Sequence, residues 1–245
     1  MGDVSVTGED RQDGPVPDRR REILVAALTL AAAVAVIAFV FGVGAVAAGG
    51  SVPQVVLMSL LVFTGASQFS AVSVVASGGS TGAALGGAML LAARNTVYGL
   101  AMSRVITGSL PTRLLAAQFT IDETTAMAAT QERPEDKRFA FWATGLTLFA
   151  FWNTGGLIGA LVGSSIEPET FGLDVAFPAA YVAMVLPLLR HRLGLIAGAL
   201  GAAICVALVP FTPIGVPILC ASAAILIGLP RPEDEHDMPT EGMPA

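Results

Sequence analysis

The chain has 245 residues, of which 54% are hydrophobic and only 13% charged, with a formal net charge of −6. An ordinary soluble domain carries about 25% charged residues. Three long stretches, 23–93, 139–166 and 193–230, contain no acidic residue, lysine, arginine or histidine. Because a membrane-spanning helix needs roughly 20 apolar residues, these stretches exclude a soluble protein and indicate several spans. They are continuous rather than alternating in polarity, which favours helices over a β-barrel.

The acidic residues are concentrated at the two ends of the chain. Residues 1–22 hold four arginines and six acids, and residues 231–245 hold one arginine and five acids. Residues 23–230 balance eight basic against eight acidic side chains. The composition therefore predicts two disordered tails, 1–22 and 231–245, around a transmembrane domain at 23–230. No basic patch suggests nucleic-acid binding.

Glycine, proline and charge divide the transmembrane domain into eight apolar segments. The predicted fold is all-α: a polytopic helical membrane protein with seven or eight transmembrane or re-entrant segments. In chain order, the segments are 23–48, 54–77, 81–103, 113–130, 139–163, 173–189, 193–209 and 213–230.

Basic residues at the loops predict the orientation. Arg19, Arg20 and Arg21 place the N-terminus in the cytoplasm. If all eight segments cross the membrane, the basic loops at 131–138 and 190–192 are also cytoplasmic, and the acidic loop at 164–172 lies outside. These three loops agree with the positive-inside rule.

Two other basic residues favour a competing topology. With eight crossings, Arg104 and Arg113 lie outside. They lie inside if segments 54–77 and 113–130 are both re-entrant, and every later loop keeps its side. The small and polar residues at 63–70 support this alternative, because discontinuous helices often build substrate sites in transporters. Both topologies remain open at this point.

A charge at the middle of a membrane helix costs roughly 2.5–3.5 kcal/mol, so such residues are candidates for function. Arg94 lies deep in segment 81–103, and its planar guanidinium suits a carboxylate. Tyr98 lies four residues later, on the same helix face. Asp122 and Glu123 interrupt segment 113–130, where they are expected to pair with Arg94, bind an ammonium group or take up a proton. Structural roles are the alternative for each of them.

Ser67 and Gln68 lie in the middle of segment 54–77. Buried hydroxyl and amide groups need hydrogen-bond partners, so these two side chains either bind a ligand's carboxylate or hold neighbouring helices together. Taken with the buried charges, they suggest a site for a zwitterion such as an amino acid. No metal or cofactor is expected, because neither histidine has a ligand partner at a useful spacing and both cysteines lie within apolar runs.

Glycines spaced four residues apart form a small-residue ladder at Gly155, Gly159 and Gly163. Such ladders let membrane helices approach closely. The ladder predicts internal helix packing, with a partner subunit as the alternative neighbour.

Five motifs, in order, resemble those of the AzlC family of branched-chain amino acid permeases. They are MSLLVFTGASQFSAV (58–72), ARNTVYGLAMS (93–103), FTIDETTAM (119–127), FWNTGGLIGALVG (151–163) and GLDVAFPAAY (172–181). The sequence departs from the family's pattern at Ala92, where the family has Asn, and at Ile121, where it has Thr.

The resemblance covers about residues 23–230 and implies a function. It implies a large subunit in the cell membrane of a prokaryote, working with a small AzlD-type membrane subunit. The expected activity is export of leucine, isoleucine and valine, driven by an ion gradient, without enzymatic chemistry. The resemblance supplies no binding residues, so the candidates remain those argued from the sequence.

Three rival interpretations stay open. Another small zwitterion is an alternative substrate. A channel or scaffold subunit is a second alternative, although a buried Arg94 would repel cations. The stretch from Gly65 to Gln68 also matches the Gly-x-Ser-x pattern of rhomboid-type intramembrane serine proteases. Such a protease needs a general base, and His191 is the only candidate in the transmembrane domain.

Overall fold

The structure, a computed structural model, describes residues 16–165, 188–212 and 216–221, with a few single positions between and beyond them. All regular secondary structure in this part of the chain is helical, which confirms the all-α prediction. The helices are α1 (Val16–Ala47), α2 (Val52–Leu61), α3 (Ala66–Ala76), α4 (Thr81–Ala92), α5 (Arg94–Met102), α6 (Leu110–Gln118), α7 (Asp122–Ala129) and α8 (Pro134–Ser165), then a 3-10 turn (Leu188–Arg190), α9 (Arg192–Leu208) and α10 (Val216–Ala221).

The chain forms two compact units. The first unit comprises Met1–Ala38 and Asn95–Gly155, and the second comprises Phe39–Arg94 and Gly156–Ala245. The two long helices α1 and α8 contribute residues to both units. The first unit also contains α6, α7 and all of α5 except Arg94, and the second also contains α2, α3, α4, α9 and α10.

Helix α1 begins at Val16, so residues 16–22 are helical, although the composition assigned them to a disordered tail. Partners on α8 explain the difference. Arg19 Nη1 lies 3.4 Å from Oδ2 of the buried Asp136, and the Arg20 guanidinium carbon lies 5.2 Å from the centre of the Phe139 ring. Residues 1–15 and the predicted C-terminal tail at 231–245 lie outside the described residues.

Two of the described helices are long and apolar enough to cross a membrane unaided. They are Arg19–Ala47 within α1 and Pro134–Ser165, which is α8. They correspond to the predicted spans 23–48 and 139–163, with α8 starting five residues earlier than expected. The predicted count of seven or eight segments is not confirmed by the remaining, shorter helices.

The three segments predicted between these long helices are each divided in two. Segment 54–77 divides into α2 and α3, segment 81–103 into α4 and α5, and segment 113–130 into α6 and α7. Helix α9 matches the predicted span 193–209 to within one residue at each end. Segments 173–189 and 213–230 lie mostly outside the described residues.

Helices α1 and α8 pack side by side through the glycine ladder. In the first unit, a Cβ added at Gly155 would lie 2.6 Å from the Ala35 carbonyl oxygen. In the second unit, a Cβ at Gly159 would overlap the Phe39 carbonyl, and one at Gly163 would lie 3.0 Å from Val43 Cα. The ladder is therefore internal packing, as the spacing predicted, and its neighbour is α1.

Contacts within the first unit also fix the relative direction of the two helices. Near their beginnings Arg19 contacts Asp136, and further along both helices Ala35 contacts Gly155. Residue numbers rise together on the two helices, so α1 and α8 run parallel.

Candidate functional site

The break between α2 and α3 is the first feature of the candidate site. Helix α2 ends at Leu61, and α3 begins at Ala66 after Gly65, whose φ of +59° and ψ of −86° suit glycine. Phe63 is buried beside the break. The backbone is thus non-helical at 62–65, in the middle of a segment predicted to lie in the membrane. Irregular backbone at such depth occurs where protein or a cavity surrounds it.

Gln68 closes this break with its side chain. Its Oε1 accepts a hydrogen bond from the Gly65 amide at 3.3 Å, and its Nε2 donates to Ser59 Oγ at 3.4 Å. Gln68 and Ser59 are both fully or almost fully buried. Of the two roles considered for Gln68, these contacts support holding helices together: it caps α3 and ties it to α2.

Ser67, the adjacent predicted site residue, differs from Gln68 in its hydrogen bonding. Its hydroxyl is buried, as are those of Thr64 and Ser70, and none of the three has a hydrogen-bond partner among the described residues. Ser67 and Ser70 are three residues apart on α3, so they share one helix face. Burying a hydroxyl without a partner is unfavourable. Three such hydroxyls lie within about two turns of chain at the break, where they are available to hydrogen-bond a polar group.

Ser70 was not among the site residues predicted from the sequence. Its neighbour on α4 is Gly87. A Cβ added at Gly87 would lie only 3.2 Å from Ser70 Oγ. Both residues are buried. The i, i+3 spacing of the two serines was a visible signal. No sequence pattern indicated the contact between Gly87 and Ser70, because this contact depends on how α3 packs against α4.

An apolar cavity adjoins the same helix in the second unit. Its volume is about 150 Å³, and its lining includes Met58 of α2 and Ala71, Val72 and Val75 of α3. Ala71 lies one turn after Ser67 and therefore follows it along the same side of α3. The cavity and the buried hydroxyls thus involve the same helix, but Ser67 and Ser70 are not among the residues that line the cavity.

The break between α6 and α7 repeats the local design of the α2–α3 break. Phe119 and Thr120 lie within it, as Phe63 and Thr64 lie within the other. At the N-cap, the Ile121 amide donates to Thr124 Oγ1 at 3.1 Å, as the Gly65 amide donates to Gln68. Here, however, the hydroxyls are satisfied: Thr120 donates to Ala116 O at 2.9 Å, and Thr124 to Phe119 O at 2.7 Å.

Phe119 anchors the α6–α7 break to α8 in the first unit. Its ring centre lies 5.8 Å from that of Trp142 and 5.4 Å from that of Phe149, both in edge-to-face geometry. Gly145 makes this fit possible, since a Cβ there would lie 3.1 Å from Phe119 Cβ.

Asp122 and Glu123 form the first turn of α7 and are both half-buried. The N-terminal end of a helix carries partial positive charge, which favours carboxylates there. This position fits the structural alternative that the sequence left open for the two acids.

Arg94 and Tyr98 are half-buried on α5, and Arg94 is the first residue of that helix. Arg94 belongs to the second unit with Ser67 and Gln68, whereas Tyr98, Asp122 and Glu123 belong to the first. The Ser67 hydroxyl is not hydrogen-bonded to Arg94 in the described structure. The zwitterion site expected from all six residues therefore remains a prediction.

Comparison with known proteins agrees with the resemblance drawn from the motifs. The family described as AzlC protein matches residues 29–166, more than half of the chain. An "Uncharacterized membrane protein" of Helicobacter pylori (strain ATCC 700392 / 26695) is 29% identical over 147 residues, covering 59% of this chain and 64% of the relative. No solved structure matches significantly. The apolar helices and these two matches indicate a membrane protein, and the chain belongs to the AzlC family.

Proposed function

We propose that this protein is a transporter that exports branched-chain amino acids across the cell membrane of a prokaryote, together with a small AzlD-type membrane subunit. The observation that carries the proposal is the α2–α3 break, where buried hydroxyls without described partners lie on the same helix, α3, that also lines an apolar cavity. Broken helices near the bilayer midplane are where secondary transporters bind their substrates.

The hydroxyls suit the carboxylate of an amino acid, and the apolar cavity suits its aliphatic side chain. A carboxylate accepts hydrogen bonds from hydroxyl donors such as those of Ser67 and Ser70, and the N-terminal end of α3 favours its negative charge. The aliphatic side chain of leucine, isoleucine or valine needs an apolar surface such as the cavity lined by Met58 and Val72. An amino acid carries both groups on its α-carbon and therefore fits neighbouring sites on one helix.

The charged residues within the predicted membrane segments are assigned binding roles from the chemistry of their side chains. Arg94 is proposed to contact the substrate carboxylate, with Tyr98 lining its path, because guanidinium and carboxylate pair bidentately. Asp122 or Glu123 is proposed to take the ammonium group or a coupling proton during alternating access. Gln68 is proposed to support this site by fixing the start of α3.

The orientation follows from the basic residues at the start of α1. Arg19, Arg20 and Arg21 favour a cytoplasmic N-terminus. Because α8 runs parallel to α1, its beginning, with Lys137 and Arg138, then lies on the same side. This clustering of positive charge supports a multi-pass protein in which α1 and α8 both begin on the cytoplasmic side.

The rival functions lack comparable support. A serine protease needs a base hydrogen-bonded to its nucleophile, yet the Ser67 hydroxyl has no bond to His191 or any other described residue, and His191 is exposed. The protein is therefore proposed to be a transporter and not an enzyme. Another small zwitterion remains the alternative substrate.

Amino acid efflux tests the proposal. Cells lacking other exporters are loaded with dipeptides containing leucine, valine or methionine, and express this chain with or without its small partner. Faster release of leucine and valine only when both proteins are present is the expected result. Absence of any amino acid efflux, with both proteins confirmed in the membrane, would rule out the proposed activity.

A further inference from the structure

Several hydroxyls on the described helices, or within four residues of a helix end, form a hydrogen bond to a local backbone carbonyl. Each of the following donates to the carbonyl oxygen four residues earlier, at 2.7–2.9 Å: Thr29, Ser77, Thr120, Thr125, Thr147, Ser165 and Thr212. This back-bonding is the ordinary solution for serine and threonine in helices. The local bond is available at almost no cost, so a buried helical hydroxyl that does not use it needs an explanation.

Of the two buried serines of α3, Ser70 is such a hydroxyl, whereas Ser67 is the second residue of the helix and the residue four positions earlier, Phe63, lies in the non-helical break. Ser67 and Ser70 are 1% and 4% exposed, and neither bonds to a carbonyl or to any other group that the structure describes. Thr64, at the break itself, shares this state. The Thr144 hydroxyl in α8 of the first unit also lacks a described partner, but no second unpartnered hydroxyl lies within one helical turn of it among the described residues. Two unpartnered hydroxyls on one face of α3 are available to donate to a single ligand.

We propose that Ser67 and Ser70 bind the substrate carboxylate directly, and that Gly87 of α4 sets the space beside Ser70. This inference rests on the proposed function and deepens it: Ser70 and Gly87 become specificity-determining positions. The hydroxyls contribute donors, and the absence of a side chain at Gly87 lets α4 approach the buried Ser70 hydroxyl without crowding it. A methyl group at position 87 would crowd that oxygen at 3.2 Å.

Packing is the competing explanation, since serine and glycine also mediate close helix contacts in membranes. The two explanations differ in what a double substitution does. If Gly87 matters only for packing, then Gly87→Ala is harmful because of the Ser70 oxygen, and combining it with Ser70→Ala restores full activity. If Ser70 binds substrate, the combination restores stability without restoring affinity.

The experiment measures leucine binding to the purified protein with its small partner. Thermal unfolding in detergent is followed as L-leucine is added to the wild type, Ser67→Ala, Ser70→Ala, Gly87→Ala, and the double variant Ser70→Ala/Gly87→Ala. Ser77→Ala is the matched control, because that exposed serine on the turn after α3 bonds to its own local carbonyl. Loss of a hydrogen bond to a carboxylate is expected to weaken apparent leucine affinity by about tenfold or more in both serine variants.

The outcomes separate this inference from the function on which it rests. The expected result is weak leucine binding in Ser67→Ala, Ser70→Ala and the double variant, wild-type binding in Ser77→Ala, and an unfolding temperature in the double variant closer to that of the wild type than in Gly87→Ala. Wild-type affinity in both serine variants would overturn the inference and leave the proposed function standing. A wild-type protein that no branched-chain amino acid stabilises would overturn the proposed function and the inference with it.

Discussion

Neighbouring residues at the start of α3 have opposite roles. The sequence predicted that Ser67 and Gln68 are polar groups in need of partners, and both side chains are buried. It did not tell which of them finds its partner within the protein. Gln68 reaches Gly65 and Ser59, whereas the Ser67 hydroxyl finds none in the described structure. The difference depends on the backbone turn at Gly65 and the proximity of α2, which no residue pattern specifies.

Removing the Gln68 side chain is expected to destabilise the fold. Gln68→Ala loses two hydrogen bonds and leaves the buried Ser59 hydroxyl without its donor, which costs about 1–3 kcal/mol. Gln54→Ala is the control, because Gln54 caps Ser51 in the same way at 2.8 Å but on the exposed surface. Thermal unfolding in detergent measures both variants. Equal unfolding temperatures would show that Gln68 contributes nothing special to the α2–α3 break.

Arg94 is expected to act in transport through the shape of its guanidinium. Arg94→Lys keeps the positive charge but loses the planar fork that binds a carboxylate bidentately. Leucine efflux is expected to fall severalfold while the amount of protein in the membrane stays nearly unchanged. Arg113→Lys, at an exposed position on α6, is the control. Undiminished efflux from the Arg94 variant would remove this residue from the site.

At the scale of helices, the hydrophobic pattern located the segments but not their interruptions. Apolar runs alone cannot distinguish one long helix from two short ones. Only the polar stretch at 63–70 predicted a break. The two breaks share the sequence Phe-Thr and the same capping geometry, yet the remaining residues differ. The similarity therefore escapes a comparison of sequences and lies in the hydrogen bond that each N-cap amide donates to a side chain three residues later.

The glycine ladder was predictable because its spacing alone creates a smooth helix face. Gly159→Ala places a methyl group against the Phe39 carbonyl, and overpacking of this kind destabilises by about 1–3 kcal/mol. Gly99→Ala is the control, since nothing lies within 4 Å of a Cβ at that position. Unfolding temperatures of the two variants should differ clearly. A Gly159 variant as stable as the Gly99 variant would contradict the packing of α8 against α1.

For the whole molecule, the parallel direction of α1 and α8 restricts the topology. If both helices cross the membrane, the chain between them must cross an odd number of times. Three crossings by segments 54–77, 81–103 and 113–130 satisfy this condition. A single crossing by 81–103, with the other two segments re-entrant, satisfies it equally. The shared design of the two breaks favours both segments behaving alike, a restriction that loop charges alone could not provide.

Both allowed topologies place the loop at 77–80 and the loop at 103–109 on opposite sides of the membrane. Single cysteines at Gly78 and Gly108, in a chain with both native cysteines replaced, test this with a membrane-impermeant thiol reagent applied to whole cells. One position should react and the other should react only after the cells are opened. Labelling of both from the same side would contradict the shared behaviour of the two breaks. Reaction of Gly78→Cys from outside would identify the re-entrant topology.

Counterflow in proteoliposomes tests the central claim most directly. Vesicles containing this protein and its small partner are loaded with unlabelled leucine, and entry of labelled leucine is followed in the presence of competing amino acids. Transient accumulation that isoleucine and valine abolish, and that aspartate and lysine leave unchanged, is the predicted result. No accumulation above protein-free vesicles with leucine, isoleucine or valine inside would contradict the account.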